Sequence, residues 1–516
     1  MTQQSHYPVV IIGAGPVGVT AATLLAQYGI TSLVLDRWAG LYPQPRAVHL
    51  DDEVYRILER LGIASEFARI SRPAVGLRLL DSELSTLVEF RRDPTFRRHG
   101  HPQANMFDQP HLEALLRANL AGHSHATLRG DAEVTDLIDL SGGRTRITFT
   151  DRSDDSVHSV ECDYLLGCDG ANSMVRKHIG TTMRDYRFEQ RWLVIDVDSA
   201  VDLQQWDGVH QVCDPRRAGT FMQVGDARYR WEFQLLPGES ADDFATLPSL
   251  RPLITPWLQA DPSDHDLRLI RVAEYTFRAQ LADDWRRGNI FLLGDAAHLT
   301  PPFIGQGLCA GLRDAMNLSW KLAGVINGDL TADALETYQV ERKPHAHKMI
   351  TLALAVGHAM TAGGRIGSAL RNIIAPRARL IPGLSAKILD SRTPSLSGST
   401  LVRRSRGPRA LAGTLCPNAV IANGERLDSE LGTGFAVITA VTPTAEQREL
   451  IEQRHAVVHH AGPGTELAGW LDSGRAQAAI VRPDFTVMRA GRDLSALCEA
   501  LPAFDWSAET GEVTRR

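Results

Sequence analysis

The sequence predicts an α/β protein in three parts: a parallel-sheet nucleotide-binding domain, a mostly antiparallel sheet inserted into it, and a small α/β unit at the C-terminal end. Three observations predict this. A β-branched apolar run, Val9 to Ile12, meets the turn Gly13-Ala14-Gly15-Pro16-Val17-Gly18. A second apolar run, Ile290 to Leu293, meets the turn Gly294-Asp295-Ala296-Ala297-His298. Between them the apolar pattern shifts to strand-like alternation, and a Ser-, Arg-, Pro- and Gly-rich stretch from Ser391 to Arg409 precedes the last segment.

The first run reads as a strand buried on both faces of a parallel sheet. Gly13 permits a tight turn, Gly15 lets backbone approach a pyrophosphate, and Gly18 lets the following helix pack close to the sheet. Ala21, Ala22, Leu24 and Leu25 carry that helix to about Tyr28, and Gly29 can cap it. Ile30 to Leu35 is the second strand, and Asp36 ends it at the distance suited to a ribose hydroxyl. Strand, turn, helix, strand and acid in this order make a Rossmann-like nucleotide site. Arg37 is open to two readings, a phosphate partner or a solvated side chain.

The second turn supplies what a dinucleotide site alone does not need. Asp295 emerges at a strand end, where a carboxylate can accept hydrogen bonds from ribityl hydroxyls. Together the two turns indicate FAD. Pro301-Pro302 then breaks regular structure, and Gly305-Gln306-Gly307 opens a long helix whose first amides can face a flavin pyrimidine edge. Asp314 reads as a helix-surface or capping acid more readily than as a catalytic one, and His298 as a structural residue. A third strand-end loop, Asp169-Gly170 in the stretch Asp163 to Arg176, is aimed at the same crevice.

The inserted region, 181–278, holds strands at Trp192–Ile195, Thr220–Val224 and Arg228–Leu235. Tyr229, Trp231 and Phe233 alternate with Arg228, Arg230 and Glu232, so the aromatic side chains share one face. That face is either core or a wall over the substrate. Residues 1–180 and 279–390 form the discontinuous nucleotide domain, and 391–410 a linker. Residues 411–516 follow a strand–helix–strand–hairpin–helix order that suits a thioredoxin-like domain. Thr442-Pro443-Thr444 stands where a redox CxxC would be, so a structural or subunit-contact role is expected, and a homodimer is compatible with it.

Composition bounds the rest. The 516 residues are 43% hydrophobic and 22% charged, with a net charge of -6, which gives no reason to expect nucleic acid or an anionic membrane. The six cysteines show no CxxC and no zinc spacing, and no metal is expected. Reduced thiols, no span of about 20 apolar residues and no room for a signal peptide point to the cytoplasm.

These motifs, in this order, resemble the single-component FAD-dependent aromatic hydroxylases, the class A flavoprotein monooxygenases. The resemblance runs from about residue 7 to 390, and the tail is similar to the thioredoxin-like domain of the longer members. Arg278 to Leu322, Pro45-Arg46-Ala47 and Cys213-Asp214-Pro215-Arg216 look especially like the branch of 3-(3-hydroxyphenyl)propionate hydroxylases. The resemblance implies that Gly13, Gly15, Gly18 and Asp36 bind the ADP half of FAD. It implies that Arg46 contacts the diphosphate region and positions a mobile flavin, that Gln109 touches the cofactor, and that Asp169 and Gly170 serve both FAD and NAD(P)H. Asp295 would hold the ribityl chain, and the Pro302 carbonyl would face the reactive flavin carbon. Asp36 stands where many members have Glu.

The activity implied is NAD(P)H- and dioxygen-dependent hydroxylation of a phenolic ring through a flavin C4a-hydroperoxide, on a small substrate such as a 3-hydroxyphenylpropionate-like acid. The alternative within the family is a tailoring hydroxylase or epoxidase of a larger polycyclic or polyketide substrate. His210 lies in the right region for a base toward the phenol, though a loop histidine is the simpler reading. Arg216 or Arg230 would pair with a substrate carboxylate, or else with surface acids.

Overall fold

The computed structural model describes residues 5–41, 47–258, 262–263, 265–361, 393–404 and 410–505. Arg46 and Pro45, and the helical stretch expected after 361, lie outside the described residues.

Four strands lie side by side and parallel in the first sheet: Ile290–Leu292, Val157–Gly167, His6–Ile12 and Ser32–Leu35, with Ala126–Arg129 beyond. The register places Ile12 opposite Gly167, and Gly167 opposite Leu292. Three turns distant in sequence therefore leave one sheet edge together, at the carboxyl ends of the strands, which is where open α/β sheets bind ligands. The two signature turns touch: a Cβ on Gly294 would lie 3.0 Å from Val17 Cγ2.

The glycines of the first turn have distinct physical duties. A Cβ on Gly13 would fall 2.3 Å from the Cys168 carbonyl oxygen, and one on Gly18 would fall 2.0 Å from the Gly13 carbonyl oxygen. Both contacts are impossible for any other residue. A Cβ on Gly15 would meet nothing within 4 Å, so its openness is toward the cavity rather than toward protein.

The second sheet has eight strands in the order His298–Leu299, Leu267–Ala282, Met183–Ser199, Arg228–Gln234, Gly219–Gln223, Val209–Val212, Gly76–Leu80 and Thr86–Arg91. All its pairings are antiparallel except Val209–Val212 against Gly76–Leu80. The last two strands form a hairpin from the first third of the chain, so the inserted sheet is completed by residues outside 181–278.

Tyr229, Trp231 and Phe233 pack with Phe221, Leu250, Ile254 and Trp257 in an apolar core of their own. Helix Leu247–Ile254 and the turn at Thr255–Trp257 cover that face. It is core and not a substrate wall, which corrects one of the two sequence readings. The opposite face turns toward the nucleotide domain.

The C-terminal unit is a four-stranded sheet in the order Val457–His460, Ala436–Thr439, Ala478–Val481 and Val487–Gly491, the first pair parallel and the others antiparallel. Helices Ala445–Gln453, Glu466–Ser473 and Leu494–Glu499 flank it. The Glu466–Ser473 helix was not legible in the sequence. Thr444 caps the first helix, its hydroxyl accepting from Gln447 N.

The unit is fastened to the nucleotide domain. Trp320 stacks edge-on against Phe435 and Phe504. Arg56 holds Asp428 through two hydrogen bonds of 2.5 Å, and Arg482 reaches Glu341 at 2.9 Å. Residues 393–404 dock as well: Leu401 and Val402 are buried, and Arg403 N donates to the Met488 carbonyl. Among the described residues no helix is long and apolar enough to cross a membrane.

Candidate functional site

A cavity of about 1160 Å³ runs between the first sheet's edge and the inner face of the second. That exceeds the usual range for one small ligand, about 300–1,000 Å³, and leaves room for a dinucleotide and a second molecule. Gly13 to Val17, Asp36, Arg37, Gln109, Asp169, Gly170, Asp295, Pro302 and Gly305 to Gly307 all line it. Gly18 does not line it; it sets the helix against the turn.

Asp36 organises the nucleotide end. Its carboxylate accepts from Ala14 N at 2.6 Å and from Trp38 N at 2.8 Å, which locks the glycine turn to the end of the second strand. Arg37 lies over the Trp38 ring at 5.5 Å. Gln109, Glu113 and Arg117 face the same cavity at helical spacing. Gln109 Oε1 accepts from Ala47 N at 2.5 Å, and Arg117 Nη2 donates to the Ala14 carbonyl at 3.2 Å. Arg117 was missed from sequence, although the i, i+4, i+8 series starting at Gln109 could have found it.

Asp169 is committed to its own loop. It accepts from Ser173 Oγ, Met174 N and Val175 N, capping helix Met174–Ile179. Burial raises its carboxyl above the ordinary range in spite of those donors. Its place in the site is to shape the Gly170 turn, where φ is +77°.

The second signature rests on Asp314. This residue is fully buried and not on the helix surface, which corrects the sequence reading. It accepts from Gly294 N at 3.1 Å, His298 Nε2 at 2.7 Å and Arg342 Nε at 2.8 Å. Burial alone would raise its carboxyl; His298 and Arg342 outweigh that and hold it below the usual range. Asp314 thereby fixes the turn that presents Asp295 to the cavity.

The third turn is fixed in the same manner. The Pro302 carbonyl accepts from Gly305 N at 2.9 Å. Gln306 caps helix Gly307–Asn327, and its side chain is held by Asp51 at 2.9 Å and Arg313 at 3.1 Å. The first amides of that helix face the cavity with the positive end of the helix dipole. A Cβ on Gly307 would meet nothing within 4 Å. His49 sits 3.5 Å from the Gly305 carbonyl, and burial takes its imidazole down to about 4, so it is neutral.

The second sheet contributes a polar row. Gln211, Thr220 and Glu232 are cross-strand neighbours on three adjacent strands, and all line the cavity. Gln211 Nε2 donates to the Phe303 carbonyl at 3.3 Å, so the row starts at the Pro302–Gly305 turn. Glu232 ends it about 10 Å away, two strand spacings on. Its side chain is 12% exposed, with Arg230 Nη1 at 3.8 Å. Burial raises its carboxyl, Arg230 only partly opposes this, and Asp196 adds to the rise. Trp192, Phe277 and Phe303 form the aromatic wall, Trp192 meeting the other two edge-on.

Besides Gly18, three sequence candidates fall outside the cavity. His210 lies between the cavity-lining Val209 and Gln211 and points the other way, against Trp206 and Phe221. Among the described residues neither ring nitrogen has a hydrogen-bond partner, and burial takes the imidazole down to about 4. It is a core residue and not the base. Arg216 is 81% exposed and pairs with Asp214, and Arg230 is fully buried against Asp196. Neither lines the cavity. Among the described residues no cluster of His, Cys, Asp or Glu is arranged to hold a metal ion.

The FAD binding domain family matches residues 6–353. The chain is 33% identical to the 3-(3-hydroxy-phenyl)propionate/3-hydroxycinnamic acid hydroxylase of Burkholderia cenocepacia (strain HI2424), covering 98% of both. The chain belongs to the FAD-dependent aromatic hydroxylases. It is a flavoprotein oxidoreductase of the monooxygenase type, and FAD is its cofactor. It is also 32% identical to a probable NADH-specific resorcinol 4-hydroxylase of Rhodococcus jostii (strain RHA1), over 95% of this chain and 93% of that one. The fold is shared with the ternary complex of aklavinone-11 hydroxylase with FAD and aklavinone, at TM-score 0.79 and 23% identity, covering 98% of this chain and 99% of that one. It is likewise shared with the flavin-dependent monooxygenase PieE in complex with FAD and substrate, at TM-score 0.81 and 21% identity, covering 96% and 98%. The open backbone at Gly15 and Gly307 and the carboxylate of Asp295 fit a flavin dinucleotide lying along this edge.

Proposed function

We propose that the chain uses NAD(P)H and dioxygen to hydroxylate a small phenolic substrate. The supporting observation is the polar row Gln211–Thr220–Glu232, running from the Pro302–Gly305 turn along a wall of Trp192, Phe277 and Phe303. Bound FAD supplies the transfer of electrons from the nicotinamide and the activation of dioxygen.

The chain's own residues do the rest. Gly13 to Val17 and the following helix start would hold the diphosphate, and Asp36 the ribose. Asp295 would accept hydrogen bonds from the ribityl hydroxyls, and the amides at Gly305–Gly307 would stabilise negative charge on the flavin ring. Arg37 and Arg117 flank the nucleotide end, and Arg46 belongs with them by resemblance. The aromatic wall holds the substrate ring and excludes water. Glu232 takes the phenolic proton, which makes the ring more electron-rich at the moment it reacts. Its raised carboxyl is suited to this, because a stronger base accepts a phenolic proton more readily. The six cysteines are free thiols, which supports a cytoplasmic location.

The test is to load the purified protein with FAD and screen phenolic acids and neutral phenols for substrate-stimulated NAD(P)H oxidation with hydroxylated product. Oxidation that releases only hydrogen peroxide across the panel would contradict the proposal. The roomy cavity favours a second reading, hydroxylation of a larger polycyclic phenol. Product from such a substrate and none from single-ring phenols would select it.

A further inference from the structure

We propose that Arg92 anchors a carboxylate on the aromatic substrate, so that the chain takes a phenolic acid in preference to a neutral phenol. This rests on the hydroxylase reading above and names the substrate class within it.

Arg92 follows strand Thr86–Arg91 and is tied by its backbone N–H to the Val75 carbonyl at 2.9 Å. It lines the large cavity, as do Leu77 and Met106. Among the described residues its Nε is buried without a hydrogen-bond partner, and the guanidinium makes no ion pair. A guanidinium taken out of water and left unpaired is costly. Burial pulls it down to about 10, opposed only in part by Asp52. Such a group is explained by a partner that arrives with the ligand. Its planar fork matches a carboxylate in a bidentate geometry.

The position fits a bipolar ligand. Leu77 pairs with Val209, Gln211 with Thr220, and Thr220 with Glu232. Strand Gly76–Leu80 in turn pairs with Thr86–Arg91, which Arg92 follows, so Glu232 lies four strand spacings, about 19 Å, from the strand that leads into Arg92. A hydroxyphenyl ring with a short acid side chain, added to the reach of an arginine and a glutamate, bridges that gap with its hydroxyl at Glu232. The other arginines that line the cavity among the described residues are otherwise engaged, Arg37 lying over the Trp38 ring at the nucleotide end. Arg230 and Arg216 are paired outside the cavity, Arg278 pairs with Glu189, and Arg117 serves the Ala14 turn. The two relatives differ on this point in their names, since a phenylpropionate carries a carboxylate and resorcinol does not.

Arg92 also lies close enough to His49 to depress its imidazole, and His49 borders the Gly305 turn, so the experiment must separate service to substrate from service to flavin. The FAD-loaded wild type, Arg92→Gln and Arg92→Lys would be titrated with 3-(3-hydroxyphenyl)propionate and with its uncharged primary amide. Binding is followed by perturbation of the flavin absorbance, turnover by product formation, and FAD affinity is measured separately. The wild type should prefer the acid, and Arg92→Gln should lose roughly 30-fold or more of that preference, the lower end for removing one partner of a buried charged pair. Arg92→Lys should restore part of it. Equal binding of acid and amide by the wild type, or an unchanged preference in Arg92→Gln, would overturn the proposal. So would a loss of FAD affinity in Arg92→Gln with the preference intact. Preferential binding of the acid without any hydroxylated product would sink the hydroxylase reading of these substrates while supporting Arg92 as the anion anchor.

Discussion

The inserted sheet has two buried faces that differ in kind. One carries Tyr229, Trp231, Phe233, Phe221 and His210 against a short helical cover. The other carries Gln211, Thr220 and Glu232 and meets the cavity. The aromatic face draws attention in the sequence, yet it is the core. The polar phase of the alternation, which on an ordinary sheet would face water, faces the site. An alternating pattern separates two faces but does not say what covers each one.

Substitutions sharpen the contrast, beginning with the largest effect. Trp231→Ala should cost about 3–5 kcal/mol of stability, because it empties the middle of the core face. Denaturant unfolding checks this, and the fraction that stays folded should still bind FAD. On the nucleotide side, Asp295→Ala should weaken FAD binding by about 1.5–3 kcal/mol, the scale of a hydrogen bond to a charged group. A variant that retains full flavin occupancy at wild-type affinity would remove Asp295 from the site.

Two buried carboxyls extend the comparison. Glu341 lies between the nucleotide domain and the C-terminal unit; burial would raise it, but Arg482 and Lys321 bring it down to about 2. Burial takes Lys321 down to about 8, and Glu341 opposes that fall only in part. The native carboxyl is held below its ordinary 4.5, so its stabilisation is present above that pH and is lost as pH falls from there toward about 2. Glu232 has the opposite sign. Its native carboxyl is raised, so stability is greatest below its ordinary 4.5 and falls as pH rises through the shifted value. Unfolding followed against pH should show Glu341→Gln losing the acid-sensitive part. Glu232→Gln should be as stable as wild type, or more so, at neutral pH. The smallest effect belongs to His210→Phe, which keeps an aromatic ring in the core and should leave KM and kcat near wild type.

Much of the nucleotide domain was legible because its signals are local. Strand, turn and helix follow one another at Gly13 and again at Gly294, and each turn residue has a steric or polar reason that sequence alone exposes. What was not legible depends on contacts between distant segments. The hairpin Gly76–Arg91 completes the inserted sheet by a parallel pairing with Val209–Val212, more than a hundred residues away. Asp314 reads as a surface acid until Gly294, His298 and Arg342 close around it. Arg92 and Glu232 are ordinary charged residues in sequence, and only the cavity distinguishes them.

The contrast between the faces comes down to Glu232. The decisive measurement is the hydroxylation rate of FAD-loaded Glu232→Gln on its phenolic substrate, made alongside its rate of flavin reduction by NAD(P)H. The account predicts that reduction persists while product formation falls about 10²–10⁴-fold, the range for loss of a positioned base. Product formation at the wild-type rate would contradict it.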